Sequence, residues 1–544
     1  MRTTINFNKL VNLKVMVAGL VFLQMFMFAQ AQSVDISISP LRFAGVHALQ
    51  SQQGINNGYL VLHTAQGGNW NYQMFNSELE TLTQGTLEAP RYSFFNGLTT
   101  NGDYTLVNFV VNAFTQSSTY ILLNSRGEEV NRVTRNDLQM LRRGEQFLPR
   151  IFNHPQGGFL VVETLRKGNS AGYRLEYLDT DLQSRWQKEF FAQRGHAHVY
   201  DIASNADGVF ILEATERSNQ TRNVRLHGIQ ASNGTHLYTM ELTDDQYTYF
   251  PTALLPMSDG SIALSGTYFK GSRINSKRNQ GVFFLGVSPE GNTLGMQNHP
   301  WKMLRPYLRT SVPDWFLRIM PDVWIHAMEQ DSNGNFIAIA ELYRYSGQVS
   351  RQERGEIKEQ YHRIRLLDFM LFGFEQSGQM LYAERIEKPH MVIKLDAESA
   401  GGSGNLSLAA ASGTLRRGRA MKQFDAFTYR FHQKTDDSFK IAFASYEAKT
   451  HFAYLMDLNS FDALKTELTH AKPKAISYAE IIQLCANQSG YGFILTELNT
   501  RKFDESEAYW RGILPARHNS MLTYEFMPLT GKLRLSLQEL HTAK

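Results

Sequence analysis

A polar stretch, a tight-turn pair and a short apolar run recur along the chain. The clearest runs lie at 57–62, 101–107, 156–162, 207–212, 259–264 and 333–339, with looser copies at 436–441 and 489–495. Each opens on residues such as Asn101-Gly102, Asp207-Gly208, Asp259-Gly260 or Asn333-Gly334. Asn or Asp followed by Gly suits the positive φ angles of a tight hairpin turn, and the apolar run behind it reads as a strand. From Gly58 through Gly102, Gly157, Gly208, Gly260, Gly334 and Asp437 to Gly490 the intervals are 44, 55, 51, 52, 74, 103 and 53 residues. Another apolar segment precedes each turn, as at 147–152, 199–203, 250–255 and 323–328, and two more follow, as at 173–178 and 186–191 around Asp179-Thr180-Asp181. One unit is therefore four antiparallel strands.

A four-stranded meander has two faces and cannot bury both alone, so repeated units must stack. Radial stacking at about 40–50 residues a unit gives a β-propeller and protects nearly every strand edge. The pattern predicts an all-β protein, a propeller of four-stranded blades, with eight blades inside a range of seven to nine. A pair of β-sandwich domains is the competing architecture, but it would not require even spacing. The long intervals mark insertions near 299–322, 346–360, 389–423 and 499–519 in one domain spanning 32–544. Residues 35–39 are placed to pair with the last blade and fasten the ring.

The stretch Asp259-Gly260-Ser261-Ile262-Ala263-Leu264-Ser265-Gly266, ending at the second turn Glu290-Gly291, resembles exported bacterial β-propeller repeat proteins. Their blades read as an Asp-Gly turn, an apolar strand, a variable loop, a second apolar strand and a second Gly turn. The Trp-Asp blade signature and the sialidase Asp box do not occur, and no Gly-Gly doublet recurs from unit to unit as in kelch blades. The resemblance implies an exported propeller without pointing to an activity.

The first thirty-one residues stand outside the repeat. Arg2, Lys9 and Lys14 precede a fourteen-residue apolar run at 15–28, and Ala29-Gln30-Ala31 follows. That order is a cleaved secretory signal, and the run is short for a permanent span. Cleavage before Gln32 leaves 513 residues without a later apolar stretch long enough to cross a bilayer. The expected location is the periplasm, the cell surface or the exterior. Net charge is +4 overall, but the signal holds three of the basic residues and no acidic one, so the mature chain is near neutral. Nothing in that balance favours nucleic acid. The single cysteine, Cys485, excludes a disulfide framework and sits in an apolar run as a structural thiol.

Propeller ligands meet the loops entering the innermost strands, so candidates are sought just before each first strand. These are Tyr92, His196, His198, Tyr200, Asp201, Tyr249, Trp315, Trp324 and His326. His196 and His198, two apart on a strand, face the same way and would need a third ligand to hold a metal; they are read as loop histidines, with no metal. Trp301, Trp315 and Trp324 lie in the insertion beginning near 299 beside Lys302, Arg305, Arg309 and Arg318. Indoles with guanidinium groups suit sugar rings or a protein partner, although an amphipathic turn packed on a blade explains them as well. The mixed charges of 343–365 read as a solvated loop or short helix. The function expected is a binding or scaffold module for a glycan, a cell-envelope component or another exported protein, without cofactor. The alternative is a polysaccharide hydrolase or lyase using two of Asp201, Asp322, Asp425 and Glu480, since such chemistry needs acids about 5–10 Å apart.

Overall fold

The computed structural model describes residues 32–38, 43–468 and 510–539 apart from internal stretches, the longest being 137–148, 311–320 and 397–417. These residues form eight four-stranded antiparallel sheets, here numbered along the chain. Sheets 1 to 7 span 43–87, 93–135, 150–191, 196–241, 247–300, 322–386 and 429–468. Sheet 8 joins Trp510–Pro515, Ser520–Met527 and Lys532–Glu539 to the N-terminal strand Ser33–Ser37. Sheets 3 and 4 touch edge to edge through one parallel bridge, Ala171 to His196.

The first strand of each sheet meets that of the next. His47 packs edge-on against Phe95 at 5.2 Å, Thr99 bonds Asn153 at 2.8 Å, and Arg150 Nη1 donates to the Val199 carbonyl at 3.0 Å. Tyr200 meets Phe250 at 5.0 Å, the Ile325 N–H donates to Thr252 Oγ1 at 3.1 Å, and His432 bonds Glu329 at 2.8 Å. Gln433 then reaches the Ala516 carbonyl at 3.1 Å, and Tyr59 O–H returns from sheet 1 to the Pro515 carbonyl at 3.2 Å. Successive meanders whose inner strands contact in this order make a β-propeller.

Burial follows from that geometry. The second strand of sheet 2, Tyr104–Val111, is buried at every position after the first because a neighbouring sheet covers each face. The outermost strand, Glu129–Arg135, alternates between exposed and half-buried positions. Sheets are also keyed together at their second turns. Tyr238 of sheet 4 lies on Gly291 of sheet 5, where φ is +87° and a Cβ would approach the ring to 2.4 Å. Trp186 covers Gly234 in the same manner, and Thr83 and Met74 of sheet 1 close on Gly127 of sheet 2. This packing explains why a second turn glycine recurs.

The chain closes non-covalently. Ser33–Ser37 pairs antiparallel with Lys532–Glu539, Ile36 opposite Leu533, and Arg534 bonds Asp35 at 2.9 Å. The pairing expected of residues 35–39 is thus present, beginning slightly earlier. The run at 489–495 lies outside the described residues, and the eighth sheet described is the one built from both termini.

The charged insertion is corrected by the structure. Where the mixed charges of 343–365 read as a loop or short helix, the strands Phe336–Glu353 and Glu356–Phe374 pair as one long hairpin. Arg351 stands opposite Glu359 in this ladder, whose register shifts between Tyr345 and Gln348 and between Arg351 and Gln352. Met391–Asp396 adds an extra strand against this hairpin. Residues 301–309 of the segment after His299 pack on the blade. Two 3-10 turns, Trp301–Met303 and Arg305–Tyr307, bury Trp301 and Leu304, and Arg309 stacks 3.7 Å over Tyr382.

Candidate functional site

Six first strands carry a bulge at matching places, at Ala44, Asn96, Tyr200, Thr252, His326 and Arg430. A bulge adds one unpaired residue and re-aims its side chain. Asn96 donates to the Pro149 carbonyl of the next sheet at 2.7 Å, Thr252 accepts from the next sheet, and His326 stacks on Tyr429 of the next sheet at 4.5 Å. The bulges therefore carry polar contacts from sheet to sheet near the ring axis.

A buried electrostatic centre lies between sheets 6 and 7. Glu341 is fully buried, with Lys388 Nζ at 3.1 Å and His326 Nε2 at 3.4 Å. It accepts hydrogen bonds from Thr428 Oγ1 at 2.7 Å, Thr428 N at 3.0 Å and Tyr429 N at 3.2 Å. Burial alone would raise its pKa, but the Lys388 charge and the bonds from His326 and Thr428 hold it down at about 2. Burial lowers the His326 pKa, opposed by Glu341 and reinforced by Lys422 and Arg430. Beside it runs a carboxylate–imidazole–phenol chain. Tyr429 O–H donates to His432 Nδ1 at 2.6 Å, and His432 Nε2–H donates to Glu329 at 2.8 Å. Burial raises the Tyr429 pKa, so the phenol keeps its proton.

A second centre involves the insertion before sheet 7. Gly418 lies so close to the Trp324 indole that a Cβ would sit 2.3 Å from it. Met421, Ala426 and Phe427 are buried in one core cluster with Trp324, Tyr343, Tyr249 and Phe250. From this segment the half-exposed Lys422 reaches Asp201 of sheet 4 at 3.3 Å, although sheets 5 and 6 lie between the two along the chain. Tyr200, Tyr247, Tyr345 and Tyr446 are partly buried against the same cluster. Tyr247 opens a first strand, while Tyr345 and Tyr446 lie in second strands beyond their middle, so all three stand toward the ends remote from the Asp-Gly turns.

The residues singled out in the sequence take different places. Tyr200 and Asp201 stand by the Lys422 contact. His196 and His198 do share a face, their rings 6.0 Å apart and nearly parallel. The bulge at Tyr200 interrupts simple alternation, so counting from His198 no longer gives the face of Asp201. Among the described residues no group of three or more His, Cys, Asp or Glu could hold a metal ion. Tyr249 is buried and accepts a bond from Asn298 at 3.0 Å; Trp324 and His326 are buried as well. Asp322 opens the first strand of sheet 6 opposite Tyr343. Tyr92, Trp315, Asp425, Glu480 and Cys485 lie outside the described residues.

Residues 98–496 match the family of unknown function DUF6770. The chain belongs to that family. No curated protein matches this DUF6770 chain in sequence. Among solved structures, the Dos1 propeller is similar at 9% identity and a TM-score of 0.40, over 92% of this chain and 94% of that one. The polysaccharide lyase Uly1 is similar at 10% identity and a TM-score of 0.35, over 94% and 99%. A europium-containing methanol dehydrogenase is similar at 8% identity and a TM-score of 0.34, over 81% of each. These three share so little with this chain that no activity transfers from them to it.

Sequence reasoning missed Lys422, Tyr345 and Tyr446 in this DUF6770 chain. Lys422 lies in an insertion with no strand signal, and the two tyrosines come after the repeated turns rather than before them. Only the strand direction reveals that starts of first strands and ends of second strands share one side of the ring.

Proposed function

We propose that this protein is exported and acts as a binding or scaffold module, an eight-bladed propeller in one domain from residue 32 onward. Its ligand would be a glycan, a cell-envelope component or another exported protein. The observation that carries the reading is the group of partly buried tyrosines, Tyr200, Tyr247, Tyr345 and Tyr446, packed on the core cluster beside the Asp201–Lys422 pair. Tyrosines whose apolar bodies are anchored and whose edges reach solvent suit stacking on sugar rings and protein anchors alike. Asp201 is held by a lysine, an arrangement for recognition rather than paired-acid hydrolysis.

The chain Glu329–His432–Tyr429 favours a second reading, an acid–base enzyme acting on polysaccharide, because a carboxylate-oriented imidazole beside a phenol is suited to proton transfer. One experiment separates the two. The purified protein is screened on a glycan array and, in parallel, for depolymerisation of the glycans it binds. Binding without turnover, weakened at least about tenfold in Tyr247→Ala or Lys422→Ala, supports the module. Turnover abolished by His432→Ala would replace it with the enzyme.

A further inference from the structure

We propose that Gln32, on becoming the first residue of the exported chain, cyclises to pyroglutamate. The proposal rests on the export reading, in which the signal is cut between Ala31 and Gln32, and adds a covalent modification to it. The structure bears on the site directly. Gln32 is exposed, and its backbone carbonyl accepts a hydrogen bond from Leu537 N at 2.9 Å, continuing the ladder of Ser33–Ser37 against Lys532–Glu539. The residue is thus tethered through an atom that takes no part in cyclisation, while its side chain extends into solvent and can turn back on its own amine.

The chemistry balances without a co-reactant. The freed α-amino nitrogen attacks Cδ of the Gln32 side-chain amide, the N–Cδ bond forms, the Cδ–Nε2 bond breaks, and Nε2 leaves as ammonia carrying a proton from the amine. The product is a five-membered lactam. It removes the positive charge of the new terminus and leaves no free α-amine for an aminopeptidase. That protection falls where it matters, because the closing strand is only five residues long. Loss of a few residues would uncover Leu533 and Leu535, both fully buried beneath it.

The test uses the full-length precursor expressed in an exporting bacterium. The mature protein is purified and incubated beside the synthetic hexapeptide of residues 32–37 until that peptide has fully cyclised. Intact mass and amine labelling then read the terminus. The expected result is the mass of residues 32–544 less ~17 Da for one ammonia, with no reactive α-amine. The mature chain should also resist aminopeptidase, while Gln32→Ala, exported and folded alike, is trimmed through the closing strand. A chain beginning at Gln32 that keeps its free amine after the peptide has cyclised overturns the modification and leaves the export reading standing. A chain beginning elsewhere overturns both, and the measured mass tells the two failures apart.

Discussion

Tyr173 of sheet 3 donates its hydroxyl to the buried carboxylate of Glu213 in sheet 4 at 3.0 Å. One interface earlier, Tyr120 of sheet 2 donates to Glu163 of sheet 3, also at 3.0 Å. In both cases a third-strand tyrosine reaches a second-strand glutamate, and a cross-strand arginine stands behind that acid, Arg174 opposite Glu163 and Arg225 opposite Glu213. The sheets are therefore clamped by repeated polar contacts as well as by apolar packing. A buried carboxylate must have such partners, because its desolvation is otherwise uncompensated.

Removing one hydroxyl tests the clamp. Tyr173→Phe keeps the ring and leaves Glu213 with His227 at 3.3 Å and Arg225 at 3.8 Å. The expected loss is about 1–3 kcal/mol, read as a lower urea midpoint with unchanged slope. A midpoint equal to wild type would show that the bond contributes nothing net.

Acid should weaken the fold in two steps. Burial lowers the pKa of His47 and His154 to about 4, and those of His299 and His326 in the same direction. The unfolded chain binds protons to these rings below about pH 6.5 while the folded one does not. For His47 and His154 the contribution is complete above that pH and is lost as pH falls toward 4, at about 1.4 kcal/mol per pH unit for each ring. Glu341, held at about 2, adds a second loss between its ordinary value of 4.5 and 2. Thermal melts from neutral to acid pH should show the midpoint falling through the first window; a flat profile there would refute the assignment of neutral buried histidines.

Two glycines should behave oppositely. A Cβ on Gly266 would lie 2.0 Å from the Phe250 carbonyl oxygen, a backbone atom with no room to withdraw, whereas nothing lies within 4 Å of one on Gly97. Gly266→Ala should fail to accumulate as folded protein. Gly97→Ala should be neutral or stabilise by up to about 1 kcal/mol, since it restricts only the unfolded chain. Expression yield and circular dichroism distinguish them.

Ring closure can be split into its parts. Asp35→Ala removes an exposed ion pair and should cost less than about 1 kcal/mol. Deleting residues 32–37 removes the whole strand, opens a sheet edge and uncovers Leu533 and Leu535. The truncated chain should melt lower and self-associate on gel filtration through that edge. A monomer with wild-type stability would show that the strand is dispensable.

Much of the fold is legible in the chain. The runs after Gly102, Gly208, Gly260 and Gly334 are strands as read, because a turn pair and an apolar run are both local signals. The pairing of the N-terminal strand with the last sheet was legible only from its position. The hairpin of Phe336–Glu353 with Glu356–Phe374 was not, since a run of mixed charges reads as a loop when its pairing is unknown. The Glu341 centre was hidden for another reason. Lys388, His326 and Thr428 come from three separated segments and acquire meaning only through contact.

The sequence by itself determined the repeat, the strand content and the all-β architecture, because hairpin turns and strand periodicity act over a few residues. Tertiary structure alone decided which side chains meet. Asp201 and Lys422 stand 221 positions apart, and no local pattern couples them. Trp324 and Tyr249, exposed candidates on paper, become core because neighbouring sheets cover both faces of the strands that carry them. Contacts between blades depend on how rigid sheets stack around an axis, and that is a property of the ring rather than of any one repeat.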